Sequence, residues 1–529
     1  MNVTDPLADL QGLLTAPGIG ATACAGVAGV ESCLALPAAH WGLLAELAAD
    51  AGLRHAGLWA DALDEERLRV QALFAAADGY LLAQTEVTGA PPELASHTPL
   101  FPGVDRLERH AQDLLGVRFL GHPRGAVRWT RHQAWPETAH PLRPDFPLAG
   151  DHPGRTPADG DYPIVRLQGN GVCEVPVGPV HAGVIAPGHF RFQVMGEDVL
   201  RLEERLGYVH KGIEKHAVGR DAAGLVRLAA RVAADSTVAH AWAACQALER
   251  ACDTEVPARA LYLRALLAER ERVANHLGDI GGICNDVGFG FGQSQCALLR
   301  ERWQRDNASH FGHRLLMDTL VPGGVVRDLD PAAPERLIQA NGELRRVLRR
   351  LFDILDDHPP LNDRLLTTGI LAQGTARALG CTGYVAKASG IDHDLRHHVP
   401  YAPYDRLRLE TAVVEHEGDV AARMRVRMRE IHASLGLIEQ LLAALPEGAI
   451  AAPLTPRPEA SGLGLVEGWR GESVALVRLD VAGRVARYFP RDPSWFNWPA
   501  LEHLILGNIV PDFPVCNKSV NGSYSGVDL

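Results

Sequence analysis

Apolar positions recur along this chain with two different periods, and the elements they predict fall into two regions. Between 421 and 445, Met424, Met428, Ile431, Leu435, Ile438, Leu442 and Leu445 step by fours and threes, which predicts a long helix packed on its neighbours through a single stripe. A second helix is predicted over about 260 to 280, with Leu263, Leu266, Leu267, Val273, Ala274 and Leu277 inward and Glu269, Arg270 and Arg272 adding charge. Period-two alternation marks FRFQVMGEDVLRLEERLG (190 to 207), about a Gly-Glu turn, and SVALVRLDVAGRVARYF (473 to 489), about Ala482-Gly483; both read as hairpins. Nearer the start, WGLLAELAADAGL (41 to 53) has a helical pattern and GYLLAQTEV (79 to 87) a strand-like one.

Between these regions, residues 143 to 163 hold five prolines and three glycines among polar residues, the composition of a linker. The expected fold class is therefore α+β. A small N-terminal α/β domain (1–150) precedes a linker (151–170) and a mostly helical domain with small β hairpins (171–529).

With 529 residues, 47% of them hydrophobic, the chain has material for two cores. A net charge of -12 argues against a nucleic-acid surface, which needs an excess of Lys and Arg over phosphate. No apolar run is long enough to span a bilayer, and the N-terminus lacks the pattern of a secretory signal. Nine cysteines, with the nearest two seven positions apart (Cys245 and Cys252), include no CxxC and are too sparse for a disulfide scaffold; most read as buried structural thiols. Neither a GxGxxG opening a helix nor a P-loop lysine is present, which argues against a nucleotide site on this chain.

Histidines cluster in GPVHAGVIAPGHFRFQV (178 to 194) and GYVHKGIEKHAVGR (207 to 220), at 181, 189, 210 and 216, with His240 further on. Imidazole suits both proton exchange and metal ligation, yet a lone histidine is more often a structural hydrogen-bond donor, and spacing leaves both readings open.

The succession GPVH, EDVLRLEERLGYVHKGIEKHA, RERVANHLGDIGGICNDVG, GHRLLMDTLVPGG, KASGIDHDLR and GDVAARMRVRM resembles the quinone-cavity subunit of complex I and its NiFe hydrogenase large-subunit relatives. LERHAQDLLGVRFLGHP (107 to 123) and HPLRPDF (140 to 146) are similar to the small complex I subunit that docks on that large one, here fused to it. The ending FPVCNKSVNGSYSGVDL looks closest to the membrane-bound energy-converting hydrogenases of the formate hydrogenlyase and hydrogenase-4 type.

The resemblance implies two CxxC pairs around nickel and iron, since soft thiolates suit those metals. They are expected at Ala233 and Ser236 and at Pro514 and Asn517, none of which carries a thiol, and Ala186 stands where a proton-accepting glutamate is expected. No metal or other cofactor is therefore expected on this chain. For a quinone substrate, the resemblance implies a histidine, an aspartate and a tyrosine; His189 and Asp286 match the first two, with His181 and His276 nearby in their motifs, while Ala244 replaces the tyrosine. His189 and Asp286 could instead simply brace a hairpin against a helix. Glu214, Arg220, Arg272, Asp392, Arg396 and Asp419 are expected to pair between helices, holding them in register or carrying protons.

The implied function is the large subunit of a membrane oxidoreductase, with a redox or quinone-type cavity beside a partner's iron-sulfur cluster; the alternative is a non-catalytic scaffold. Implied partners are an iron-sulfur small subunit, a ferredoxin-like subunit and antiporter-like membrane subunits. The implied location is peripheral, on the cytoplasmic face of the inner membrane.

Overall fold

The computed structural model describes residues 6–16, 18–24, 26–125, 127–130, 138–150, 162–180, 185–409 and 417–529. The N-terminal region is built on a five-stranded mixed sheet in the order Thr22–Ala23, Ser32–Ala35, Tyr80–Val87, Leu68–Ala75, Arg54–Ala62. Ser32–Ala35 runs parallel to Tyr80–Val87, and the other neighbours are antiparallel. Helix Trp41–Asp50 supplies the crossover, as the apolar pattern of 41 to 53 predicts. Helix Asp105–Leu115 packs on strand Arg54–Ala62 and ends at Gly116, whose left-handed φ of 83° favours glycine. Cys24 and Cys33 form a disulfide, so these two are not free thiols.

The C-terminal region centres on helix Ala258–Asp286, called here the long helix, with helices Gly290–Phe311 and Val420–Ala443 against it. The predicted stripe is buried from Met424 to Leu442, and Leu445 lies beyond the helix end. The charged residues of the long helix depart from expectation. Glu269, Arg270 and Arg272 are as deeply buried as the leucines, because neighbouring elements cover this part of the helix and partners reach each charge.

Both hairpins form, and each belongs to a three-stranded antiparallel sheet. His189–Met195 and Asp198–Arg205 add Val172–Val177; Gly471–Leu479 and Val485–Arg491 add Ser461–Gly468. The Ser461–Gly468 strand was not predicted. It is buried on both faces, since helix Thr237–Ala251 lies directly on it: a Cβ on Gly462 or Gly464 would overlap the carbonyl oxygens of Ala247 or Ala243.

Buried ion pairs join the two regions. Glu472 takes Arg54, the Tyr80 hydroxyl (2.5 Å) and Arg491. Glu214 takes His110 and Arg487, each at 2.5 Å, and Arg106 meets Glu204 at 2.7 Å. Of the linker reading, 151–161 lies outside the described residues.

Candidate functional site

Small residues on one face of the long helix, Ala274 and Gly278, open a groove that surrounding segments close into a cavity of 520 Å³. Its other walls are Ile185-Ala186, the turn at Ala234-Asp235, Trp469-Arg470 and the chain from Asn521 to Ser525.

Arg470 organises these walls. Its Nη1 and Nη2 donate to the two carboxylate oxygens of Asp235 at 2.7 and 2.6 Å, its Nε to the Asn521 carbonyl at 2.7 Å, and Nη1 also to the Ser236 hydroxyl at 3.2 Å. The guanidinium lies 4.0 Å over the Trp469 ring. Burial disfavours the Asp235 carboxylate, but Arg470 outweighs it and holds the carboxyl below its usual range. The Asp235 carbonyl is fixed as well, by Asn275 Nδ2 (2.6 Å) and Trp469 Nε1 (2.7 Å).

Glu271 faces the same space. Its carboxyl accepts from the backbone N–H groups of Val238 (2.7 Å) and Ala239 (3.3 Å), which lie in the first turn of helix Thr237–Ala251 and have no acceptor within the helix. Burial, only partly offset by those donors, pushes its pKa up to about 8. Asp279, one wall further, accepts from Asn521 Nδ2 at 2.7 Å and Arg427 Nε at 3.1 Å.

The sequence-predicted residues are placed unevenly around this cavity. Ala186 lines it. Ala233 and Ser236 are buried in the turn beside it, but the C-terminal segment that meets this turn is Asn521 to Ser525, where the Ser525 hydroxyl donates to the Val232 carbonyl at 2.7 Å. Pro514 is exposed on helix Phe513–Val520 and Asn517 lies on the same helix; neither lines the cavity. His189 starts its strand half-buried, its Nδ1 3.2 Å from the Gly178 carbonyl and its Nε2 accepting from Arg191 at 3.3 Å. Asp286 ends the long helix beyond the cavity, its pKa raised by burial. Neither His189 nor Asp286 lines the cavity, His181 lies outside the described residues, and Ala244 is buried in helix Thr237–Ala251.

The expected charge network forms with a changed membership. Arg396 binds Glu269 (3.0 Å) and Asp394 (2.7 Å); Lys387 joins Asp394 to Glu430, both at 2.6 Å; and Glu430 reaches His276 at 2.6 Å. Arg272 adds to Glu269 at 3.3 Å. Despite burial, Lys387, His276 and Arg272 hold Glu430 well below the usual carboxylate range, while burial pushes the adjoining Glu467 up to about 8. The predicted Asp392 is exposed, and Asp394 takes its place. Asp419 caps helix Val420–Ala443 through the Ala422 N–H at 2.7 Å, Arg220 is exposed, and Glu214 pairs at the junction between the two regions instead. Among the described residues no group of three or more His, Cys, Asp or Glu side chains is disposed to hold a metal ion.

Residues 286–459 match the family described as respiratory-chain NADH dehydrogenase, 49 Kd subunit, and residues 36–152 match its 30 Kd subunit. The chain is 32% identical to formate hydrogenlyase subunit 5 of Escherichia coli (strain K12) over 85% of its own length and 79% of that protein's. It belongs to the family of fused complex I 30 kDa and 49 kDa chains and hydrogenase large subunits. Another relative in this family is the C/D-type NADH-quinone oxidoreductase polypeptide of Bacteroides fragilis, 30% identical over 72% of this chain and 75% of that one. Among solved structures, the archaeal membrane-bound sulfane sulfur reductase, a respiratory membrane complex, aligns with a TM-score of 0.64 and 27% identity over 68% of this chain and 98% of its own.

Family membership makes this chain an oxidoreductase-type subunit of a complex I-like or energy-converting-hydrogenase-related membrane complex, with partner subunits. No helix among the described residues is long and apolar enough to cross a membrane. Asp235, Glu271, Asp279 and Arg470 were missed from the sequence. Asp235 stands inside RVAADSTVAH, but only its distant partner, Arg470, marks it.

Proposed function

We propose that this chain is the large redox subunit of its complex, and that the 520 Å³ cavity receives a small redox substrate, a quinone-type carbonyl compound or a related acceptor, beside an iron-sulfur cluster carried by a partner. The observation that carries this reading is the Asp235–Arg470 clamp at the cavity wall, where the hydrogenase relatives imply metal-binding thiolates. A guanidinium beside Ser236 supplies positive charge and no soft donor, so these residues do not fit a nickel-iron centre.

The wall offers a proton instead. Glu271, with a pKa of about 8, is mostly a neutral carboxylic acid near pH 7 and can protonate a substrate oxygen as electrons arrive from the partner's cluster. Reduction of a quinone consumes two electrons and two protons, and the second proton comes from solvent entering the cavity. The other partners would be the ferredoxin-like subunit and the antiporter-like membrane subunits that the resemblance implies, the latter coupling turnover to ion movement.

The test is reduction of a short-chain quinone by the purified, cluster-reduced complex. Glu271→Gln is expected to lower turnover at least tenfold, whereas His189→Ala and Asp286→Ala are expected to be near neutral. Stoichiometric nickel with hydrogen evolution would overturn the reading. A second reading, a scaffold, draws on the buried chain from His276 through Glu430, Lys387, Asp394 and Arg396 to Glu269, whose pairing is suited to holding helices in register. An intact complex that reduces no acceptor would favour it.

A further inference from the structure

Two cations at the cavity form no ion pair among the described residues. Arg300, on helix Gly290–Phe311, crosses Gly278 of the long helix, and Lys518, on helix Phe513–Val520, crosses Gly282 one turn further on. Positions 278 and 282 share a face of that helix and stand about 6 Å apart along its axis. A Cβ at 278 would come 3.1 Å from the Arg300 Nε, and one at 282 would meet the Lys518 methylenes, so glycine at both sites leaves the passage the two side chains use.

Neither cation makes a hydrogen bond or ion pair with any described residue, and the Arg300 Nε is buried without an acceptor. The other charges of the cavity are accounted for. Asp235 is held by Arg470, Asp279 by Arg427, and Arg314 by Glu301. Glu271 is mostly protonated near pH 7. Asp286 lies within electrostatic reach of Lys518 without pairing with it. The buried Arg300 N–H is costly to leave without an acceptor, and the two half-buried cationic groups stand ready to take an anion that supplies one.

We propose that Arg300 and Lys518 form an anion-binding subsite of this cavity, taking a small molecule whose carboxylate or other oxyanion group bridges the guanidinium and the ammonium. The guanidinium fork suits two parallel bonds to one anionic group, and the ammonium adds a point charge. The rest of the 520 Å³ admits the body of the molecule, which would extend toward Asp235 and Glu271. This inference rests on the reading of the cavity as a substrate site, and it makes the substrate an anion rather than a neutral lipophilic quinone.

Calorimetric titration of the assembled complex with succinate, with inorganic phosphate and with neutral succinamide tests it. One saturable site per chain is expected for succinate or for phosphate, and which of the two binds distinguishes a carboxylate from a phosphate source. Its Kd should rise tenfold or more in Arg300→Gln and in Lys518→Gln, stay unchanged in Arg302→Gln on the exposed face of the same helix, and weaken with salt. In the unsubstituted complex, the bound anion should slow acetylation of Lys518, read by mass spectrometry; this arm holds if a variant fails to assemble. Absence of binding by both anions, equal binding of succinamide, or binding that survives both substitutions overturns the proposal. The two readings fail separately. A complex that retains its iron-sulfur partner and reduces a neutral quinone, yet binds no anion, removes only the subsite; a chain that binds anions but carries no partner cluster removes the redox role.

Discussion

Arg470 grips Asp235 through both terminal nitrogens, at 2.7 and 2.6 Å, across 235 positions of chain. The clamp ties the turn before helix Thr237–Ala251 to the end of the chain, because the same guanidinium also holds the Asn521 carbonyl.

Replacing Arg470 by Met removes these bonds and leaves Asp235 unpaired. Since the Asp235 side chain is 40% exposed, solvent softens the loss, and the expected destabilisation is at the low end of about 1.5–3 kcal/mol. Denaturant midpoints check this. Asp235→Asn combined with Arg470→Met should cost less than the sum of the two single changes, because the pair acts as one unit.

Glu430→Gln strikes a buried carboxylate shared by Lys387 and His276, and is expected to cost about 3–5 kcal/mol near pH 7. The folded protein holds this carboxyl below its ordinary value of 4.5, so its contribution is present above that pH and is lost as pH falls through the lower folded value. The gap in unfolding free energy between wild type and variant should therefore close in acid. A gap independent of pH would count against the ion pair as its source.

Glu271 has the opposite sign. Its folded pKa of about 8 exceeds the ordinary 4.5, so between those values the folded state holds a proton that the unfolded state has released, and stability falls as pH rises. Glu271→Gln should remove one proton's worth of this slope, raising stability relative to wild type at pH 8.5 compared with pH 5.5. Parallel wild-type and variant curves would show that Glu271 is already ionised.

Gly464→Ala places a methyl group against the Ala243 carbonyl and forces helix Thr237–Ala251 off its strand. A loss of about 1–3 kcal/mol is expected from such overpacking, with Gly436→Ala, on an open helix face, as the control that should be neutral or slightly stabilising. Thermal unfolding of the two variants separates these outcomes.

The helix stripe from Met424 to Leu442 and both hairpins were legible because their signals are local: a period of 3.6 or 2 in consecutive residues. The family was legible because its motifs occur in order. The Ser461–Gly468 strand was hidden because burial on both faces erases alternation. The burial of Glu269 was hidden because Arg396 and Ser434, its partners, lie 127 and 165 positions away. The same distance effect concealed the cavity: Asp235, Arg470 and Lys518 are unremarkable in their own segments and meet only in the folded chain. The resemblance implies the second thiolate pair at Pro514 and Asn517, whereas folding brings Asn521 to Ser525 to the turn.

Glu472 joins strand Gly471–Leu479 to Arg54 and Tyr80 of the N-terminal sheet within a single polypeptide. That continuity makes the docking of the two halves a unimolecular equilibrium, indifferent to dilution and to how much of each half a cell makes. A complex assembled around such a chain receives both halves in a fixed one-to-one ratio.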